Sequence, residues 1–226
     1  MSAASRARVA EPSASIARPL VGVLALQGDF EAHAKVLERL GASVREVRTV
    51  GDLDRLDGLV IPGGESTSMT IGIERERLAE PLRELAARGL PLFGSCAGLI
   101  MLDRDHLGVM DILAARNAFG RQVKSFEADL ELAGLAGGPI RALFIRAPWI
   151  SEHGPRVEVL ARVGDGAERA QHVVAARQDS ILAVAFHTEL GRDDRVHSLF
   201  LARAREFARA RGARDGRRTR EDSLAQ

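Results

Sequence analysis

The sequence predicts an α/β protein: a doubly wound, mainly parallel sheet flanked by helices, with additional strands in its second half. Three observations predict it. Short continuous apolar runs at 20–26, 58–61 and 90–94 read as parallel strands buried on both faces. Stretches with one apolar face alternate with them at helical spacing. Residue types that carry chemistry stand just beyond the strand ends, where open α/β sheets bind their ligands.

In chain order, residues 1–19 are rich in Ala, Ser and Arg, lack the apolar core of a secretory signal, and are expected to form a disordered tail. A single domain is expected over 20–211. Leu20 opens the first strand. Asp29 stands where it can cap a helix whose Phe30, Ala34 and Leu37 share a face, and Gly41 stops it. Residues 43–48 read as a more exposed strand, and 58–61 as a buried one ending at Pro62-Gly63-Gly64. An amphipathic helix follows over 76–88, then the strand Leu90 to Gly94, then a helix from Ala97. Beyond residue 110 strands dominate, at 110–115, 126–132, 140–145, 156–162, 171–177 and 180–186. A last helix spans 195–211, and the charged, patternless 212–226 is expected to be a disordered tail.

Composition narrows the function classes. With 226 residues the chain has room for one well-packed domain. Its net charge is +1, from 32 basic and 31 acidic residues, so no global field recruits nucleic acid or a membrane surface. No apolar run approaches the roughly 20 residues that span a bilayer. One cysteine cannot form an intrachain disulfide, which points to a reducing, cytoplasmic setting.

That cysteine, Cys96, stands between Gly94 and Gly98 where an apolar strand turns sharply into a helix. Such an elbow exposes a nucleophile above the sheet edge, beside the positive end of the helix dipole. On its own Cys96 reads equally as a buried small hydrophobe. A thiol nucleophile needs a base, and the base an orienting acceptor. His187 and Glu189 follow the apolar run Ala183 to Phe186, and alternation by two puts both on one side of the chain. The loop Pro62-Gly63-Gly64-Glu65-Ser66-Thr67 suits an oxyanion hole, with the Gly64 and Ala97 amides as donors, and Ser66 or Thr67 can cap the next helix. The alternative is a plain strand-to-helix turn. His33, His106, His153, His172 and His197 read as structural or solvent-exposed.

Gly-Gly-Glu, Gly-x-Cys-x-Gly and His-x-Glu in this order resemble the triad-type class I glutamine amidotransferases, whose sheet is flavodoxin-like. Finer segments resemble one family among them, the glutaminase subunits of pyridoxal phosphate synthase. They are Gly22 to His33, with Gln27 within it, Ile61 to Met69, Pro91 to Leu99, Arg116 to Leu130, Phe144-Ile145-Arg146-Ala147-Pro148 and Val174 to Gln178. The resemblance covers residues 20–205. It implies that Cys96 attacks the side-chain amide of L-glutamine, that His187 moves the proton, and that Glu189 orients His187. It further implies glutamine binding by Gly64, Glu65, Ser66, Arg116, Ile145 and Arg146. Ammonia would pass to a synthase subunit of (β/α)8-barrel type in a large hetero-oligomer, with Gln27 at the subunit interface. Neither cofactor nor metal is implied. Members are typically weak alone, which implies a Gly63–Gly64 peptide misoriented in the free subunit.

Three positions depart from that family's pattern. Thr188 replaces a proline between His187 and Glu189, Lys124 replaces an aspartate, and the segment Leu102 to His106 is about seven residues short. A degenerate, non-catalytic binding subunit is therefore the alternative, since fold alone does not guarantee activity. An α/β-hydrolase is disfavoured because histidine precedes the acid. A stand-alone amidase would ignore any synthase.

Overall fold

The computed structural model describes residues 18–116, 125–164 and 171–224, with side chains described through Arg214. The expected N-terminal tail up to residue 17 and Lys124 lie outside these residues. The first half alternates as the apolar runs predict: β1 (Leu20–Leu24), α1 (Phe30–Arg39), β2 (Ser43–Val47), β3 (Gly58–Ile61), α2 (Ser66–Arg75), α3 (Ala79–Ala87), β4 (Leu92–Ser95) and α4 (Ala97–Leu102). The second half supplies β5 (Ile112–Ala115), β6 (Ser125–Leu130), β7 (Ile140–Ile145), β8 (Trp149–His153), β9 (Glu158–Gly164), β10 (Gln171–Gln178), β11 (Ile181–Val184) and α5 (Arg195–Leu224).

One sheet runs β2-β1-β3-β4-β11-β10-β8-β5, with β9 also paired to β10, while β6 and β7 form a separate antiparallel ribbon. The strands β2, β1, β3, β4 and β11 are mutually parallel. Their interior members β3, β4 and β11 are wholly buried, as continuous apolar strands require. β2 lies at the edge and is only partly buried, as its charged residues require. Helix α5 packs so tightly on β3 that a Cβ at Gly58 would lie 2.9 Å from the Phe200 ring.

Four expectations need correction. The helix expected over 76–88 is α3, which starts at Ala79, and a separate helix, α2, precedes it, with Arg77 (φ 55°) in the left-handed region between them. The Ser, Thr, Ile and Gly of α2 are weak helix formers, so periodicity conceals it. Its stability comes from burying Met69 and Ile73 and from its cap. β8 went unforeseen, because Trp149–His153 is short and mostly exposed on one face. The capping residue of α2 is Glu65, not Ser66 or Thr67. Finally, 212–224 continues α5 instead of forming a patternless tail. Arg211 holds the helix past its expected end, pairing with Asp57 at 2.9 Å and donating to the Arg55 carbonyl. No helix among the described residues is long and apolar enough to cross a membrane.

Candidate active site

Parallel alignment brings the ends of β1, β3, β4 and β11 to one edge of the sheet, and each end carries an expected site residue. Cys96 follows β4 with φ 51° and ψ −106°, a conformation that costs a non-glycine residue about 1–3 kcal/mol. Two glycines make this elbow feasible. A Cβ on Gly94 would lie 2.5 Å from the Gly98 carbonyl, and one on Gly98 would lie 2.0 Å from the Ile61 carbonyl. The Cys96 amide donates to the Val184 carbonyl at 2.9 Å, tying the elbow to β11. Its Sγ lies 4.0 Å from the Ile145 carbonyl.

His187 and Glu189 leave β11 with their side chains together, Nδ1 to Oε1 at 2.6 Å. The His187 amide is fixed to the Leu143 carbonyl at 2.9 Å. Ser95 Oγ approaches the second Glu189 oxygen at 3.4 Å and donates to the Phe186 carbonyl at 3.2 Å. Burial is the largest influence on the His187 imidazole and pushes its pKa down. Hydrogen bonds to Cys96 and Glu189, with their charges, together outweigh it and raise the value to about 10. For Glu189, burial pulls upward, but the bond to His187 and the neighbouring imidazoles hold the carboxyl down to about 2. The pair is therefore charged and mutually stabilising at neutral pH.

The glycine loop closes over the same place. A Cβ on Gly63 would lie 2.7 Å from His187 Cε1, so only glycine fits there. The Gly63 carbonyl accepts from the Asp29 amide at 3.2 Å, which fixes one face of the Gly63–Gly64 peptide. Gln27, expected at a subunit interface, also braces this loop by donating to the Glu65 carbonyl at 2.8 Å. The Glu65 carboxylate accepts from the Thr67 and Ser68 amides at 2.9 and 2.6 Å and from Ser68 Oγ at 2.7 Å. These bonds hold its pKa down to about 2 and direct the side chain to α2. Glu65 therefore offers the cavity its backbone.

A cavity of about 390 Å³ brings together Gly64, Glu65, Ser66, Arg116, Ile145 and Arg146 with Cys96, Ala97 and His187. Its size suits a single amino acid, and two guanidiniums supply a clamp for a carboxylate. A larger groove of about 660 Å³, between α3, α5 and the turn at 50–53, holds neither thiol nor imidazole. The Asp29, His187 and Glu189 ligand atoms lie within 4.8 Å of one another, a grouping that could hold a metal ion. Nδ1 and Oε1 already bond each other in it, which favours a triad over a metal site.

Four residues join this site that sequence reasoning left out. Asp29 occupies the N-cap position of α1 without a side-chain cap bond, and its Oδ2 lies 3.8 Å from His187 Nδ1. His106 lies 3.1 Å from Arg116 Nη2 and 2.7 Å from buried Asp103. His33 and His197 are buried behind Glu189. For His33 a signal existed: it falls with Val36 and Leu37 on the buried face of α1. A histidine there, in a helix otherwise reserving that face for apolar groups, calls for a polar partner.

Residues 23–206 match the family model described as the SNO glutamine amidotransferase family. The pyridoxal 5'-phosphate synthase subunit PdxT of Nocardia farcinica is 48% identical, the match covering 93% of this chain and 95% of that one. The PdxT protein of Acidothermus cellulolyticus is 53% identical over 85% of this chain and 97% of its own. A solved structure described as a glutamine amidotransferase aligns with TM-score 0.74 at 44% identity, covering 81% of this chain and 98% of its own. A chain of PurLQS from Thermotoga maritima aligns with TM-score 0.60 at 17% identity, covering 84% and 97%, a likeness of fold.

Proposed function

The chain belongs to the SNO glutamine amidotransferase family, and from that premise we propose that it hydrolyses L-glutamine to L-glutamate and ammonia for pyridoxal 5'-phosphate synthesis. The observation that carries this reading is the 2.6 Å bond between buried Glu189 and His187, which lines a cavity together with Cys96 and two arginines. Arg116 and Arg146 hold the α-carboxylate of glutamine and thereby set the reach of its side-chain amide toward Sγ. Gly64, Glu65, Ser66 and Ile145 form the backbone walls.

Cys96 attacks the amide carbon as thiolate, its proton residing on His187. The Gly64 and Ala97 amides receive the developing oxyanion. His187 passes its proton to the amide nitrogen, the C–N bond breaks, and ammonia leaves a γ-glutamyl thioester. His187, again neutral, takes a proton from water. The hydroxide displaces Sγ and glutamate departs. Glu189 keeps the imidazole oriented and supports its charged form throughout.

The partner in this reading is the synthase subunit, a (β/α)8 barrel in a hetero-oligomer, docked on the face that carries Gln27. Because Gln27 braces the Glu65 carbonyl, docking would act directly on the loop that supplies the Gly64 amide. Glutamate release is measured with and without synthase, using Cys96→Ala as control. Cys96-dependent release that rises with synthase is the expected result. No release in either condition, with the complex intact, would mean a binding subunit.

A further inference from the structure

Behind the triad lies a second pair of imidazoles with no assigned task. His33 on α1 and His197 on α5 are both fully buried, and His33 Nδ1 lies 2.9 Å from His197 Nε2. The far side of His33 faces the triad: its Nε2 is 3.2 Å from Glu189 Oε2, a contact off the line of a straight hydrogen bond. The carboxylate is thus shared, with Oε1 toward His187 and Oε2 toward His33. Phe93 closes the compartment, its ring edge-on to both imidazoles at 5.9 and 5.5 Å. On the surface α1 is tied to the residue just before α5 by a two-pronged pair, Arg39 to Asp194 at 2.9 and 2.7 Å.

We propose that His33 and His197 are positioning residues for the reaction: His197 fixes the tautomer of His33, and His33 fixes the orientation of Glu189 behind His187. This inference rests on the glutaminase reading of the site. The ionised Glu189 carboxylate repels a ring lone pair, so the His33 nitrogen facing it carries the proton. His33 Nδ1 then holds the lone pair and accepts from His197 Nε2–H. The chain ends at His197 Nδ1, which has no hydrogen-bond partner among the described residues. Each imidazole does for the next what Glu189 does for His187.

The groups around the pair agree with two neutral rings. Burial, the largest influence, lowers the pKa of His33, against the pull of Glu189 and Asp29 and with the help of His187. Burial likewise lowers His197, to about 3, aided by His33 and Arg39 and opposed by Glu189 and Asp194. Neutral rings each turn one N–H toward the next group without adding a charge that would compete with His187 for Glu189.

The test uses the full chain with its synthase. His33→Leu and His197→Phe should lower kcat for glutamate release on the order of 10- to 100-fold, the range a displaced catalytic group commands. KM for glutamine should hold, since neither residue touches the cavity. His33→Gln, whose amide nitrogen reaches the Nε2 position, should recover most of the rate, whereas His33→Asn, which is too short, should not. The downfield proton resonance of His187 Nδ1–H should shift in Leu, Phe and Asn but persist in Gln. If the Leu variant does not fold, the Gln–Asn contrast decides. Wild-type kcat in His33→Leu and His197→Phe, or a lost rate with the resonance unchanged and no recovery by Gln, would reduce the pair to core packing and overturn the inference. A wild-type chain that releases no glutamate would instead overturn the proposed function, while the resonance still tests the positioning.

Discussion

Arg116 and His106 meet at the cavity rim, guanidinium Nη2 3.1 Å from imidazole Nε2. This bond needs His106 neutral, its Nδ1–H donating to Asp103 at 2.7 Å. Asp103 is buried and also accepts from the Asp105 and Ala114 amides. The tight turn after six-residue helix α4 thus builds a strut from the core to the proposed carboxylate clamp. His106→Ala should raise KM for glutamine about fivefold, as expected for losing roughly 1 kcal/mol of support, with kcat little changed. Initial-rate kinetics check this. An unchanged KM would show that Arg116 needs no strut.

The elbow glycines make a steric prediction. Gly98→Ala places a Cβ 2.0 Å from the Ile61 carbonyl, which is strand backbone and cannot yield, so it should cost about 3 kcal/mol or more. Gly89→Ala meets nothing within 4 Å and pays only for its φ of +81°, about 1 kcal/mol. Urea midpoints of the two variants should differ accordingly, and equal midpoints would refute the packing account.

Thr188 stands between His187 and Glu189. Its hydroxyl is buried without a hydrogen-bond partner among the described residues. Thr188→Val keeps the shape and removes the orphan, so stability should rise by about 1 kcal/mol. For a chain of this size that is about 2–4 °C in Tm, readable by calorimetry. A lower Tm would mean the hydroxyl is satisfied in solution.

Charge on the buried His187–Glu189 pair gives stability a pH profile. Glu189 is held to about 2 against an ordinary 4.5, so its contribution is present above pH 4.5 and lost as pH falls toward 2. His187 is raised to about 10 from 6.5, so its contribution is complete below pH 6.5 and lost as pH rises through 10. Both act fully between pH 4.5 and 6.5. Glu189→Gln should flatten both slopes relative to wild type in denaturation series. Parallel profiles would contradict the pairing.

The parallel half of the fold and Cys96, His187 and Glu189 were legible because their signals are local. Continuous apolar strands, a glycine-flanked elbow and His-x-Glu after a strand each declare themselves within ten residues. What escaped was tertiary in origin. Helix α2 is written in poor helix formers and exists by burial and by the Glu65 cap. β8 is too brief to stand out and depends on β5 and β10 for definition. Arg211 carries α5 past Gly212 through partners that lie far back in the chain, Asp57 among them. His33 and His197 are 164 residues apart, and no window of sequence shows that they touch.

The strand that leads to the proposed base, β11, is the last to be synthesised among the described strands, yet it occupies the interior of the sheet between β4 and β10. A growing chain that ends before residue 181 therefore leaves β4 with a naked edge and Cys96 without His187. Non-local pairing of this kind is slow to form and leaves unpaired edges open to aggregation. Until residues 181–189 have emerged, a nascent chain holds Cys96 without the His187 and Glu189 side chains that the proposed reaction requires.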